Sequence, residues 1–119
     1  MAAPNIVNVS NIVGKSNVAN ITTVLTDTVT NSASSGKVLK INSMYVANKD
    51  IASWKFTLEL YSSSRTPTNT SIAFNVPVPG GSTLDVISKS IYLEEGDSLR
   101  VAAESNSKLV SVCSFEEIS

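Results

Sequence analysis

Few residues in this chain are of a type that does chemistry, and most of those lack the neighbours that chemistry requires. Histidine is absent from the 119 residues, which removes the commonest acid–base side chain and the commonest zinc and copper ligand. A Ser-His or Cys-His nucleophile is thereby excluded. The one cysteine, Cys113, leaves no intrachain disulfide and no cysteine-rich metal site. It lies in an apolar-alternating run over residues 109–115, which predicts a buried, unreactive thiol. Glu94, Glu95 and Asp97 crowd around Gly96, a grouping with some capacity for a divalent cation. A calcium loop of the EF-hand type spreads its ligands over about twelve residues, whereas these four make a turn. The prediction is a solvated hairpin turn in which Gly96 takes a positive φ.

Asp85, Glu59, Glu94 and Glu104 supply further carboxylates, but nothing in the sequence sets the ~5 to 10 Å separation that a glycosidase pair needs. The glycines (Gly14, Gly36, Gly80, Gly81 and Gly96) form no phosphate-binding loop. The expectation is a protein without catalytic residues, metal or cofactor. Among the aromatic residues, Tyr61 and Tyr45 are the two nominated for a contact with a partner or a glycan. Tyr61 is the better placed, because it falls on the polar parity of its strand. Packing against another subunit is preferred to a glycan for it. Trp54 falls on the apolar parity of the same strand and is predicted to be core.

The elements that must position these residues are strands. Nearly every segment is rich in Val, Ile, Thr and Ser and is bounded by Gly, Pro, Asn or Asp. No stretch of 11 or more residues sustains a 3.6-residue apolar period. Eight strands are expected. The first covers residues 6–13, closed by a turn at Gly14-Lys15-Ser16-Asn17, and the second residues 18–29. The third, over 37–48, changes phase near Asn42-Ser43, which predicts a β-bulge or a bend. The fourth has the cleanest alternation: Trp54, Phe56, Leu58 and Leu60 against Lys55, Thr57, Glu59 and Tyr61, one face in the core and one outward.

A loop at 62–68, with Arg65 and Pro67, leads to a fifth strand formed by Ile72, Phe74 and Val76. Pro77-Val78-Pro79-Gly80-Gly81 is read as its stop. The sixth strand, 82–93, changes phase near Val86 and should carry a bulge or cross between sheets at a corner. Leu99, Val101 and Ala103 mark the seventh strand, and residues 109–116 the eighth. The expected fold is an all-β, antiparallel, eight-stranded β-sandwich of jelly-roll-like type. A closed barrel fits the same pattern.

Length and charge bound the rest. A chain of 119 residues and 12.6 kDa is one domain's worth, able to bury about two-thirds of its surface. The expectation is a single domain over residues 1–119 with a short arm at about 1–5. Nine Lys+Arg against ten Asp+Glu give a net charge of −1, with no basic footprint for nucleic acid or an anionic membrane. Met1-Ala2-Ala3-Pro4-Asn5 has neither a basic n-region nor a long apolar stretch, so no signal peptide or membrane span is expected there. With 42% hydrophobic and only 16% charged residues, the surface must be largely Ser, Thr and Asn. Such a surface repels close neighbours weakly.

Residues 84–101, LDVISKSIYLEEGDSLRV, with 114–118, SFEEI, and the opening MAAPNIV, resemble small virion proteins of tailed marine and cyanobacterial bacteriophages. The likeness covers about a third of the chain. It implies a structural protein of the virion, made in the host cytoplasm, and carries over no catalytic residue. A capsid decoration or cement subunit packed on other virion proteins, the major capsid protein or a neck or tail protein, is the first expectation. A closed, symmetric homo-oligomer is expected with it, three copies being the number favoured. A neck or tail subunit, a tail module that binds a host glycan, and a free cytoplasmic β-domain are the alternatives.

Overall fold

The computed structural model describes residues 10–64, 66–87 and 89–119. The arm expected at 1–5, residues 6–9 of the first expected strand, and Arg65 lie outside them. Among these described residues there are nine strands: β1 (Ile12–Asn20), β2 (Thr26–Thr30), β3 (Val38–Asn48), β4 (Trp54–Ser62), β5 (Asn69–Val78), β6 (Thr83–Ile87), β7 (Ile91–Leu93), β8 (Asp97–Ala103) and β9 (Leu109–Ile118). They form two antiparallel sheets. The first has the order β1-β9-β3-β6, with β7 also paired to β3, and the second the order β2-β8-β4-β5. Pairing of β1 with β9, β2 with β8, β3 with β6 and β7, and β4 with β5 is that of one long hairpin rolled so that its strands alternate between two sheets. That is the jelly-roll sandwich.

The ninth strand comes from the expected sixth. Its phase change is a register shift: Ile87 pairs with Met44 and Asp85 with Tyr45, leaving Val86 extra. β6 and β7 both remain on β3, so this segment breaks without crossing between sheets. The phase change in β3 is likewise a bulge, with Asn42 extra between the pairs Ile41↔Phe115 and Ser43↔Ser114. By this device Leu39, Ile41, Met44 and Val46 all face the core, each 3% exposed or less, although the two pairs differ in parity.

Three sequence expectations are corrected. Gly14-Lys15-Ser16-Asn17 is not a turn but the middle of β1, held in continuous register opposite Phe115, Cys113 and their neighbours on β9. Residues 18–29 are not one strand. The chain leaves the first sheet after Asn20 and enters the second at Thr26, with buried Ile21 at the corner. Pro77 does not stop β5. It pairs with Lys55, a place open to proline because β5 is the edge of its sheet and needs no outward N–H. β5 also carries two extra residues relative to β4, so Ile72 and Phe74 turn outward while Ala73, Val76 and Val78 pack inward.

The core between the sheets is assembled from Phe56, Leu58, Leu99 and Val101 on one side and Ile41, Met44, Val46, Leu93 and Leu109 on the other. Trp54 is half-buried against its end and donates its indole N–H to Asp50 Oδ2 at 2.8 Å. Cys113 is fully buried, and burial pushes its thiol from 9.0 up to about 11. Modification by a thiol reagent at pH 8 is expected to be at least about 100-fold slower in the folded protein than in urea, from the lost thiolate fraction alone. Because the unfolded thiol ionises first, stability should also fall as pH rises from about 9 toward 11, a component absent from Cys113→Ala. Equal reaction rates in both states would contradict the burial.

Candidate functional site

Tyr61 and Tyr45 stand on opposite outer faces of the sandwich. Tyr61 is on β4, in the second sheet, and Tyr45 on β3, in the first, so the two cannot serve one ligand. The face of the Tyr61 ring is also covered. The Arg100 guanidinium lies 3.8 Å from the ring centroid, while its Nε donates to Asp27 Oδ1 at 2.7 Å. Ser98 Oγ donates to the same carboxylate oxygen at 3.2 Å. Cross-strand register brings these groups together, since Asp27 pairs with Arg100 and Arg100 with Glu59, two residues before Tyr61. Stacked and ion-paired, Arg100 holds Tyr61 as part of a polar surface.

The acidic turn departs from its expected form. Gly96 has φ +89°, as its turn requires, but Asp97 is fully buried at the start of β8. Asp97 Oδ2 accepts the Glu94 N–H at 3.0 Å, and Glu95 Oε2 accepts the Gly36 N–H at 2.9 Å. These carboxylates therefore stitch turns together instead of standing in solvent. The remaining carboxylates are dispersed: Glu59 and Asp85 sit on different sheets, and β8 separates Glu94 from Glu104 by more than about 20 Å. Among the described residues no group of three or more His, Cys, Asp or Glu is placed to hold a metal ion.

The polar constellation that does form is an ion cluster at the end of the first sheet. Glu117 lies between Lys15 at 3.1 Å and Lys37 at 3.2 Å. Desolvation raises the Glu117 carboxyl, but the hydrogen bonds and charges of the two lysines outweigh it and hold the group below the usual carboxylate range. The pair distances join β1, the start of β3 and β9, so the cluster fastens three neighbouring chain segments.

Two shallow depressions mark the outer faces. One, of about 260 Å³, lies on the second sheet beside Lys55, Thr57, Asn75 and Glu104. Its polar groups bond to one another: Asn75 N–H to Thr57 Oγ1 at 3.2 Å and Lys55 N–H to Glu104 Oε1 at 3.2 Å. The other, of about 350 Å³, lies on the first sheet at the Asn42 bulge beside Gly14, Ser16 and Ser114.

What distinguishes the outer surface is apolar. The pairings Val18↔Val112, Val112↔Tyr45 and Tyr45↔Asp85 run as one row across the first sheet. Asn20↔Val110↔Ala47↔Thr83 forms the next row. Val18 is 65% exposed and Tyr45 39%. Elsewhere Phe74 is 68% exposed on the edge strand β5, and Ile51 97% in the loop before β4. Sequence reasoning missed Val110 and Val112. The available signal was that β9 is apolar on both parities, so one of its two apolar faces must point away from the core.

Among the described residues no helix is long and apolar enough to cross a membrane. Comparison with protein-family models, curated proteins and solved structures gave no match.

Proposed function

We propose that this chain is a structural subunit of a tailed-bacteriophage virion, acting as a capsid decoration or cement protein that packs its outer strand surfaces against neighbouring virion proteins. The observation that carries this reading is the apolar row on the first sheet. Val18, Val112 and Tyr45 are fixed side by side on rigid strands, outside the core, where burial against a partner is worth about 25 cal/mol per Å². Jelly rolls serve viral capsids and lectins alike, so the fold alone does not choose between them. The likeness of residues 84–101 to phage virion proteins supports the first. A neck or tail position is the same proposal with a different neighbour.

Quantitative mass spectrometry of purified particles is expected to find the chain at tens to hundreds of copies. Its absence from the particle would overturn the proposal. A host-glycan module is the second reading, and Tyr45 beside Asp85 is what favours it, an exposed ring next to a hydrogen-bonding carboxylate. Glycan-array binding that disappears in Tyr45→Ala would support that reading. Binding that depends on Tyr61 is not expected, given the Arg100 stack.

A further inference from the structure

Four strand edges bound the two sheets among the described residues, and three are interrupted. β2 is five residues long, with a register shift after Asp27. β5 has two register shifts and Pro77. The edge formed by β6 and β7 is broken between Ile87 and Ile91 and is shifted at Met44/Tyr45. Bulges, proline, brevity and charged side chains, lysine above all, are the ordinary protections of a sheet edge. Of these β1 has only Lys15, whose ammonium is paired with Glu117 at 3.1 Å; its nine residues pair with β9 without a shift.

The direction of its backbone groups follows from the ladder. Asn11 and Ser119 exchange two hydrogen bonds, each 3.0 Å, and Ile21 N–H bonds Leu109 O at 2.9 Å. In an antiparallel ladder the bonded residues alternate, so the odd-numbered residues of β1 bond β9. Ile12, Gly14, Ser16, Val18 and Asn20 therefore turn their N–H and C=O groups to the open edge.

We infer that this edge is a self-association surface, along which a second copy of the chain docks antiparallel about a two-fold axis at Ser16. The first sheets of the two copies then join into one. Ser16 lies opposite Ser16 of the second copy, Gly14 opposite its Val18 and Ile12 opposite its Asn20. Every outward residue of β1 meets another outward residue, each donating one hydrogen bond and accepting one. The contact is isologous, as two-fold pairs are, and departs from the three-copy expectation.

Charge selects this register. Lys15 is the one charged residue in β1, and here it faces Asn17 of the second copy, with its ammonium already held by Glu117. Sliding to a centre at Lys15 would set the two lysines directly opposite in a close pair, which is repulsive. Sliding to a centre at Asn17 leaves Ile12 without a partner. Gly14 agrees with the inference. A Cβ there would meet nothing within 4 Å, so packing within one chain gives no reason for a strand-interior glycine, while close approach of another backbone does. The exposed Val18 of each copy would then lie beside Gly14 of the other.

The inference does not depend on the virion proposal, because the dimer is expected of the isolated protein. Sedimentation of the full chain at about 0.1 mM, where even a micromolar dimer is well populated, should give twice the 12.6 kDa chain mass. Ser16→Pro removes only an outward N–H and should sediment as a folded monomer, with its circular dichroism unchanged. Oxidised Ser16→Cys should form a disulfide-linked dimer, and Asn20→Cys, opposite Ile12, should not. The inference is overturned if the wild type is monomeric at that concentration or if Ser16→Pro leaves the dimer intact. Were Ser16→Pro unable to fold, failure of Ser16→Cys to cross-link would overturn it alone.

Discussion

Phe56→Ala is expected to lower folding stability by about 3 to 5 kcal/mol. Phe56 is 1% exposed at the centre of the sandwich. It pairs with Ala103 on β8 and Val76 on β5, so backbone hydrogen bonding on both flanks restrains the collapse that would otherwise fill the cavity. Its neighbours make the contrast. Lys55→Ala changes an exposed outer side chain and should stay within about 0.5 kcal/mol. Thr57→Ala should cost about 1 kcal/mol, since the Thr57 hydroxyl accepts the Asn75 N–H at the β5 bulge. Urea unfolding measures all three, and a cost near zero for Phe56→Ala would mean that β4 faces the other way.

The second large effect belongs to a polar residue. Asn48, 3% exposed, donates from Nδ2 to Ala52 O at 2.8 Å and to Val78 O at 2.9 Å, and its Oδ1 accepts the Asp50 N–H at 2.8 Å. One side chain thus satisfies three backbone groups in the turn that follows β3 and at the end of β5. Asn48→Ala should cost about 2 to 4 kcal/mol, because it strands the buried Val78 carbonyl and removes the partner of two part-buried groups, Ala52 O and Asp50 N–H. Asn48→Asp keeps the shape but points a carboxylate at two carbonyl oxygens, and at pH 7 it should be at least as damaging. The folded state would favour the protonated acid, raising that carboxyl above its unfolded value, so the deficit relative to wild type should shrink as pH falls through the carboxylate range. A deficit that is constant with pH would contradict the buried geometry.

Local pattern carried much of the fold. Alternation from Trp54 to Tyr61 gave both faces of β4, and the parity change at Asn42 located a bulge. Gly14 to Asn17 has the composition of a turn, but nine consecutive pairings with a distant β9 decide the matter. The corner at Ile21 was hidden for a related reason: Val, Ile and Thr continue through it, and only sheet membership changes. β5 shows the limit most clearly, since whether Phe74 points in or out depends on how many residues of β5 face each residue of β4.

The surface was less legible. Tyr61 and Arg100 are far apart in sequence and meet only because β4 pairs with β8. Asn31 has the sequence setting of an ordinary loop residue, yet its Nδ2 reaches Leu93 O, 62 positions away, at 3.0 Å. Asp97 has the sequence setting of a solvated turn residue, yet it is fully buried and its Oδ2 accepts the Glu94 N–H. Such partners are set by topology, which no window of sequence contains.

That this jelly roll serves as a packing subunit is tested most directly by a map of the assembled phage particle at side-chain resolution. Repeated jelly-roll density is expected, with Val18, Tyr45 and Val112 covered by a neighbouring virion protein. Density absent from the particle, or present with that face open to solvent in every copy, would contradict it.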